Sequence, residues 1–308
     1  VIPPNNSIKL ASAINKALNK SSKKKWSKRS DKVRSRIKKN FYLRKMIKSY
    51  HQIWSKIQKK NKYILFDLIA SQPQNLIEKK HGGSEYTKVI FKSLIKSAIG
   101  QSTVINAVYN PIVELDKNIY NLCKIHRVKL IPIYNKKEIE NIFDKNNYDK
   151  FFSGLGYGLR NINIQKNIDF IPVVHGLRPI EMPKDEYEKY YFISQKQKII
   201  TLIKHLFFNF YFQYRKKDYY DFLKKYNENL IVVSNHTKNS IHSYYPKLKI
   251  SNIKVLYSPE KSSIKAKIKK TSSKYILMVS ASVWIKNSYR GVLALDSFFH
   301  RKEFKNIK

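Results

Sequence analysis

Three segments place residues that can do chemistry at or shortly after an apolar run of strand length. They are HGGSEYTKVIF (81–91), VVHGLRP (173–179) and VSASVWIKN (279–287). In a doubly wound α/β domain, ligands bind at the carboxyl ends of the parallel strands, where loops lead into helices. The three segments are therefore the candidate ligand-binding loops of the chain.

The first segment combines a pair of glycines with the start of a predicted helix. Gly82 and Gly83 let the backbone approach a ligand closely. The first turn of the following helix offers unpaired N–H groups and a positive dipole end. Ser84 is expected to cap that helix, with Glu85 in its first turn. An ordinary turn into a helix uses the same residues, so both interpretations stay open.

The second segment ends a β-branched run with His175 and Gly176. A histidine at a strand end is placed to hydrogen-bond a substrate hydroxyl or a developing charge. A structural histidine is the alternative interpretation. Arg178, three positions on, either binds an anion or lies exposed at the surface.

In the third segment, Lys286 follows an apolar run and stands near the start of a predicted helix. A lysine in this position suits a diphosphate, which it holds as a point charge. Lysine is so frequent in this chain that Lys286 gains meaning only from its context.

Residues 62–258 alternate short apolar runs with helical stretches, which is the pattern of βαβ units. Strands are predicted over 63–71, 102–109, 128–135, 148–155, 168–176, 230–235 and 253–258, and helices over 87–99, 118–126, 199–214 and 236–245. Near-continuous apolar runs favour strands that are buried on both faces of a parallel sheet. The sequence therefore predicts an α/β domain with an open, doubly wound parallel sheet.

The two ends of the chain differ from this middle part. Residues 1–60 contain two or three amphipathic helical patterns with very basic outer faces. Such faces suit nucleic acid or a membrane surface, or they are solvated faces of helices packed on a neighbour. The polar, serine-rich stretch 260–274 predicts a linker, which is followed by a strand over 275–282 and a helix over 287–299.

The charge of the chain is strongly one-sided. The formal net charge at pH 7 is +41, from 62 Lys and Arg against 21 Asp and Glu. This excess favours polyanionic partners such as anionic lipid headgroups, nucleotide phosphates or nucleic acid. Lys, Ile, Asn and Tyr are abundant together, as they are when the coding sequence is AT-rich. Selection for a partner and codon composition are both open explanations.

Cysteine content and hydropathy limit which kinds of protein and site the chain can be. Cys123 is the single cysteine, which excludes an intrachain disulfide and a cysteine-based metal site. A reducing, cytoplasmic location is expected. The most apolar stretch, 199–214, is interrupted by Lys204 and His205, so it predicts a buried or interfacial helix.

The order of these pieces resembles the GT-B glycosyltransferases of family 4. The resemblance runs over about 62–308, through ILFDLIAS, HGGSEYTKVIF, PVVHGLRP, IVVSNHTKNSI, IKVLYSP and KYILMVSASVWIKN. It implies a GT-B-type, Rossmann-like acceptor-side domain over 61–259, the linker 260–274 and the start of a donor-binding domain over 275–308. Residues 1–60 resemble the helical C-terminal end of another donor domain.

The resemblance also implies a function. It predicts a retaining glycosyltransferase that moves a sugar from a nucleotide-sugar donor to a glycan or a lipid-linked acceptor. Gly82, Gly83 and Lys286 would bind the donor, and His175 would lie near the transferred sugar without acting as a general base. Ser84, Glu85 and Arg178 would face the acceptor. No metal is expected, and the basic surface suits docking on the inner face of an anionic membrane.

The sequence also departs from the family pattern. The family usually has an arginine shortly before the donor-site lysine, and 279–285 contains none. Its glutamate-x7-glutamate element is absent from both end segments. We therefore expect a fragment that is not a complete catalyst by itself. A tandem fusion, a circular permutation or an assembly artefact would each explain the order of the pieces.

Two rival functions remain open on the sequence. One is a basic α/β module that binds nucleic acid, for which YFQYRKKDYY (211–220) supplies aromatic and basic side chains, although no RNA-binding motif is evident. The other is an inactive scaffold domain of a larger synthase. The glycosyltransferase is preferred, and nucleic acid is the less expected partner.

Overall fold

The structure is a computed structural model that describes residues 8–9, 11–12, 23–41, 46–50, 62–73, 82–98, 103–192, 194–258, 278 and 287–300. The chain divides into two compact units. The sheet unit comprises Ile37–Leu177 and Lys216–Lys261, and the helical unit comprises Val1–Arg36, Arg178–Arg215 and Ser262–Lys308. The predicted linker 260–274 and strand 275–282 fall almost entirely outside the described residues.

Among the residues that the structure describes, seven parallel strands form one sheet. They are β1 (Lys62–Asp67), β2 (Thr103–Tyr109), β3 (Lys129–Pro132), β4 (Lys150–Ser153), β5 (Asp169–Val174), β6 (Ile231–Val232) and β7 (Lys254–Val255). Their order is β3-β2-β1-β4-β5-β6-β7, and every neighbouring pair is parallel. The predicted α/β class and open, doubly wound parallel sheet are confirmed. The order reverses between β1 and β4, which makes this pair the topological switch point.

The central strands are buried because their apolar runs face helices on both sides of the sheet. All four residues of β4 are buried, as are Ile64–Asp67 of β1 and Phe170–Val174 of β5. Strands β6 and β7 are only two residues long, although longer runs of six residues were predicted there. The short strands come last in the sheet order, next to its edge.

The sheet unit contains the connecting helices. They are α2 (Gly82–Ala98), α3 (Lys117–Ile125), α4 (Glu138–Lys145), part of α7 (Phe208–Lys225) and α8 (Asn235–Tyr244). Helix α4 was not predicted, because its apolar positions are few and its charges dominate the sequence EIENIFDK. Ile139 and Phe143 nevertheless lie four residues apart on one buried face.

The core of the sheet unit is built on aromatic contacts between strands and α2. The rings of Phe66 and Phe152, on the adjacent strands β1 and β4, stack with centroids 4.9 Å apart. Phe91 of α2 packs 4.8 Å from Phe66. Helical residues 46–50 contribute the buried side chains Met46 and Tyr50 to the same core. This packing holds the carboxyl ends of β1 and β4 at fixed positions.

The helical unit contains α5 (Arg178–Glu181), α6 (Gln195–Leu206), the start of α7, α9 (Ser288–Phe299) and most of α1 (Lys23–Phe41). The single helix predicted over 199–214 is wrong, because α6 and α7 meet at Phe207, where the first helix ends. Arg290 of α9 is buried and pairs with Asp185 at 2.6 Å. This ion pair ties α9 to the segment that precedes α6.

Candidate functional site

A cleft of about 560 Å³ opens at the carboxyl end of the sheet. Its walls come from the ends of β1, β2, β4 and β5 and from the loop after β3. The cleft therefore lies at the switch point between β1 and β4, where doubly wound sheets bind their ligands. Its volume falls in the range of small-molecule sites, roughly 300–1,000 Å³.

Asp67, the last residue of β1, brings a carboxyl group into the cleft. It is only 3% exposed. Ser153 Oγ donates to Asp67 Oδ2 at 2.6 Å, and the Ala70 backbone N–H donates to Oδ1 at 3.3 Å. Burial raises the pKa of Asp67, against the opposing effects of the Ser153 hydrogen bond and the Lys136 charge. A carboxyl held in this way is an oriented hydrogen-bonding group whose charged form is costly.

Lys136 supplies a positive charge to the same cleft. It lies in the loop between β3 and α4, and its Nζ donates to the carbonyl oxygen of Gly158 at 3.2 Å. The side chain is exposed to solvent. Lys136 therefore links the loop after β3 to the glycine-rich segment after β4, and it places an ammonium group where an anionic or hydroxyl-rich ligand would bind.

His175 lies in the cleft, one residue beyond the end of β5. Its Nε2 lies 2.9 Å from the carbonyl oxygen of Gly154, so Nε2 carries the proton and donates. The imidazole meets the ring of Tyr86 edge-on, with centroids 5.1 Å apart. Its backbone oxygen accepts from Thr237 Oγ1 at 3.3 Å, next to the Ser234 cap of α8. The orientation of the imidazole is thus set by the loop after β4 and by α2, while α8 holds the His175 backbone.

The segment SGLGYGL (153–159) forms the side of the cleft after β4, and sequence analysis missed it as a functional element. A Cβ on Gly154 would lie 2.0 Å from Thr87 Oγ1, and one on Gly156 would lie 2.2 Å from Pro172 Cβ. Both glycines are therefore required for close approach of this backbone to α2 and β5. The available signal was three glycines at alternate positions directly after a buried strand.

Gln72 was also missed by sequence analysis, and it fixes the wall of the cleft that the loops after β1 and β2 form. It is buried, and its Nε2 donates to the carbonyl oxygens of Asn110 at 2.8 Å and Val113 at 2.7 Å. Its Oε1 accepts from the Asn110 backbone N–H at 2.8 Å. These bonds clamp the loop after β1 to the loop after β2. A glutamine in a polar loop carries no sequence signal for such a clamp.

The predicted glycine loop lies at the start of α2. This helix begins at Gly82, so Ser84 lies inside its first turn, and the predicted capping role of Ser84 is wrong. Glu85 is in the first turn as predicted, and it pairs with Lys88 at 3.2 Å. Gly82, Gly83, Ser84 and Glu85 are not among the residues that line the cleft. Helix α2 reaches the cleft residues through Tyr86, on His175, and Thr87, beside Gly154.

Two predicted site residues remain, Arg178 and Lys286. Arg178 is exposed at the start of α5 in the helical unit, and it does not line the cleft. Lys286 lies outside the described residues. Within the part of the chain that the structure describes, no group of three His, Cys, Asp or Glu is arranged to hold a metal ion.

The structure thus brings Asp67, Lys136 and His175 together with a glycine-rich backbone at one edge of the sheet. The arrangement can hydrogen-bond a ligand through a carboxyl, an ammonium and an oriented imidazole. Comparisons with protein-family models, with curated proteins and with solved structures found no match to this chain.

Proposed function

We propose that the sheet unit is the acceptor-side domain of a GT-B glycosyltransferase, which moves a sugar from a nucleotide-sugar donor to a glycan or a lipid-linked acceptor. The observation that carries the proposal is the position of His175 in a cleft at the switch point of a Rossmann-like sheet. The sequence resemblance places a strand-end histidine at the reaction centre, and His175 is at the end of β5.

The chemistry of the cleft suits a hydroxyl-rich ligand. Asp67 accepts from sugar hydroxyls, while Lys136 donates to hydroxyl or phosphate oxygens. Both groups are anchored by hydrogen bonds, to Ser153 and to the Gly158 carbonyl, so little ordering is needed when a ligand binds. Convergent polar groups in a preformed cleft are the usual composition of a small-molecule site.

In this proposal His175 binds and orients the transferred sugar. Its Nε2–H is committed to the Gly154 carbonyl, which locks the ring in one orientation next to Tyr86. A ring held in this way contributes by fixing the transferred sugar relative to the acceptor, because correct orientation lowers the entropic cost of the reaction. Stabilisation of the leaving diphosphate is assigned to Lys286, on the sequence resemblance alone.

Because the chain is not expected to be a complete catalyst by itself, the experiment measures equilibrium binding of a panel of sugar nucleotides and of glycan and polyprenyl-phosphate acceptors. Nucleoside diphosphate release is the second readout. His175→Ala is compared with the wild type and with His242→Ala, a matched change at an exposed position of α8. We expect at least about a tenfold loss for His175→Ala, about 1.4 kcal/mol of transition-state or binding free energy, and wild-type behaviour for His242→Ala.

Thermal unfolding of both variants separates a loss of function from a loss of folding. If neither a donor nor an acceptor binds, and the chain instead binds RNA or DNA tightly and with strong salt dependence, the proposal is overturned. In that case the basic nucleic-acid-binding module takes its place.

A further inference from the structure

An exposed apolar stripe runs along α6 and the first half of α7, in the helical unit. Its members are Ile199, Ile200, Leu202, Ile203, Leu206, Phe207, Phe210 and Tyr214. The most exposed are Phe210 at 79%, Leu206 at 72% and Phe207 at 67%. Single exposed apolar residues are ordinary, but a contiguous patch of large ones marks an interaction surface.

The stripe extends over two consecutive helices, α6 and α7, which meet at Phe207. The backbone N–H of Phe207 donates to the carbonyl oxygen of Ile203 at 3.0 Å, and that of Tyr211 donates to the carbonyl oxygen of Phe207 at 3.0 Å, so the last turn of α6 and the first turn of α7 both bond to Phe207. At 3.6 residues per turn, the five stripe residues of α6 fall within an arc of about 160°. Thr201, on the opposite side of α6, is buried. This is the arrangement of an amphipathic helix with its apolar face to solvent.

The borders of the stripe are basic. Between Glu188 and Asp218 the sequence contains no acidic residue. The basic residues in the same interval are Lys189, Lys196, Lys198, Lys204, Arg215, Lys216 and Lys217. Lys204 Nζ lies 5.5 Å from the ring centroid of Tyr211, and the Arg215 guanidinium lies 6.0 Å from the same centroid. The cationic groups are thus held alongside the apolar face.

A hollow of about 650 Å³ lies in the helical unit and shares residues with the stripe. Lys184, Lys189 and Lys198 line it, together with Ile199 and Leu202. Glu186, also at the hollow, is paired with Arg290 at 3.2 Å. The hollow therefore presents mainly positive charge next to apolar side chains, which suits an anionic headgroup joined to an acyl chain.

We propose that the stripe docks on an anionic lipid membrane, with α6 and the start of α7 lying in the plane of the interface. Apolar side chains would enter the boundary between headgroups and acyl chains while the flanking lysines bind anionic headgroups. Among helices in the described part of the chain, none has the length and apolar character needed to cross a bilayer.

Charge complementarity selects lipid over the other occupants. A second copy would bring one cationic border against another, which opposes association. Nucleic acid would satisfy the lysines but would leave Leu202, Ile203 and Leu206 without an apolar partner. An anionic membrane satisfies both components of the surface. The inference does not depend on the glycosyltransferase proposal.

The test measures co-sedimentation of the full chain with phosphatidylcholine vesicles that either contain or lack phosphatidylglycerol. We expect binding to the anionic vesicles that weakens as salt concentration rises, and weak binding to the neutral ones. The double variant Leu206→Glu, Phe210→Glu should bind at least about tenfold less. The matched control is Ile125→Glu, an equally exposed apolar position on α3 (72% exposed), which should bind like the wild type.

All three proteins should unfold at similar temperatures, because the substituted side chains are exposed. Equal binding to both kinds of vesicle, or unchanged binding by the double variant, overturns the proposal. Light scattering tests the alternative that the stripe binds a second copy of the chain. Self-association that the double variant abolishes, without vesicle binding, assigns the stripe to a second copy of the chain and also overturns it.

Discussion

Two glycine-rich segments follow neighbouring strands of the sheet, and their surroundings differ. Gly82 and Gly83, between β1 and β2, start α2, and a Cβ on Gly82 would meet nothing within 4 Å. Gly154 and Gly156, after β4, have no such room, since a Cβ on either would overlap Thr87 or Pro172. The adjacent pair is prominent in the sequence, whereas the alternating glycines are the ones that the packing requires.

The two segments show that a prominent glycine pair in a sequence is not always the one that the fold requires. A glycine is needed where another part of the backbone or a ligand approaches closely, and that depends on the neighbours of the residue in the folded protein. Gly154 also provides the carbonyl that orients His175, while Gly158 provides the one that binds Lys136. Ser153 donates to Asp67, so the segment 153–159 contacts all three polar groups of the cleft.

The largest effect is expected at Gly156. Gly156→Ala would place a Cβ 2.2 Å from Pro172 Cβ and 2.7 Å from its Cα, so the segment after β4 must move away from β5. We expect a loss of about 3 kcal/mol in the free energy of unfolding, measured by urea denaturation. Gly158→Ala is the matched control, since its Cβ would meet only the flexible end of Lys136 at 3.2 Å. Equal stability of the two variants would contradict this account of the segment.

The next largest effect concerns ligand affinity. Lys136→Ala removes the ammonium group that the Gly158 carbonyl holds in the cleft, and we expect about tenfold weaker binding of the ligand, about 1.4 kcal/mol. The control is Lys137→Ala, an exposed neighbour that does not line the cleft. Isothermal titration calorimetry with the donor or acceptor that binds most tightly measures the affinity of both variants. Similar losses for the two variants would indicate a general charge effect and remove Lys136 from the site.

Asp67→Asn should change stability and ligand binding in opposite directions. Burial raises the pKa of Asp67, so the folded state binds its proton more tightly than the unfolded state does. The resulting stabilisation is complete below the unfolded pKa of about 3.9 and is lost as pH rises through the folded pKa. At neutral pH we therefore expect the variant to be more stable than the wild type, by about 1 kcal/mol, while it binds the ligand less well.

Denaturation curves at several pH values test the sign of this effect. The stability difference between Asp67→Asn and the wild type should grow as pH increases above about 4. A difference that is constant with pH would show that the Asp67 carboxyl does not titrate differently in the folded state.

The smallest effect is expected at Gly82. Because a Cβ there meets nothing within 4 Å, Gly82→Ala should stabilise the protein by about 0.5 kcal/mol through a less flexible unfolded chain. Binding measured on the same variant tests the predicted donor-binding role of this loop. Weaker binding would support close approach of the Gly82 backbone to the donor, and unchanged binding would contradict it.

Most of the sheet was predictable, because the buried strands leave near-continuous apolar runs such as YILF and KFFS. The runs overestimated strand length at β6 and β7, since apolar residues next to a short strand are buried without joining the ladder. Helix α4 was missed because two buried residues among charges give too weak a period. The break at Phe207 has no proline or glycine to announce it.

The candidate site was predictable only in part. His175 was found because it ends an apolar run, and such a residue must lie at the carboxyl edge of a parallel sheet. Asp67 lies inside the run YILFDLIAS, and Lys136 is one of many lysines, so neither stands out in the sequence. Gln72 acts through hydrogen bonds to Asn110 and Val113, which lie 38 and 41 residues away in the chain.

The sequence by itself determined the α/β class, the parallel strands and the positive charge, because these depend on composition and on local periodicity. Only the tertiary structure decided that β1 and β4 are neighbours, and therefore that Asp67 and His175 share one cleft. It also decided that the apolar positions of α6 face solvent. Strand order and the partner of a helix face depend on contacts between distant residues, which a local pattern does not encode.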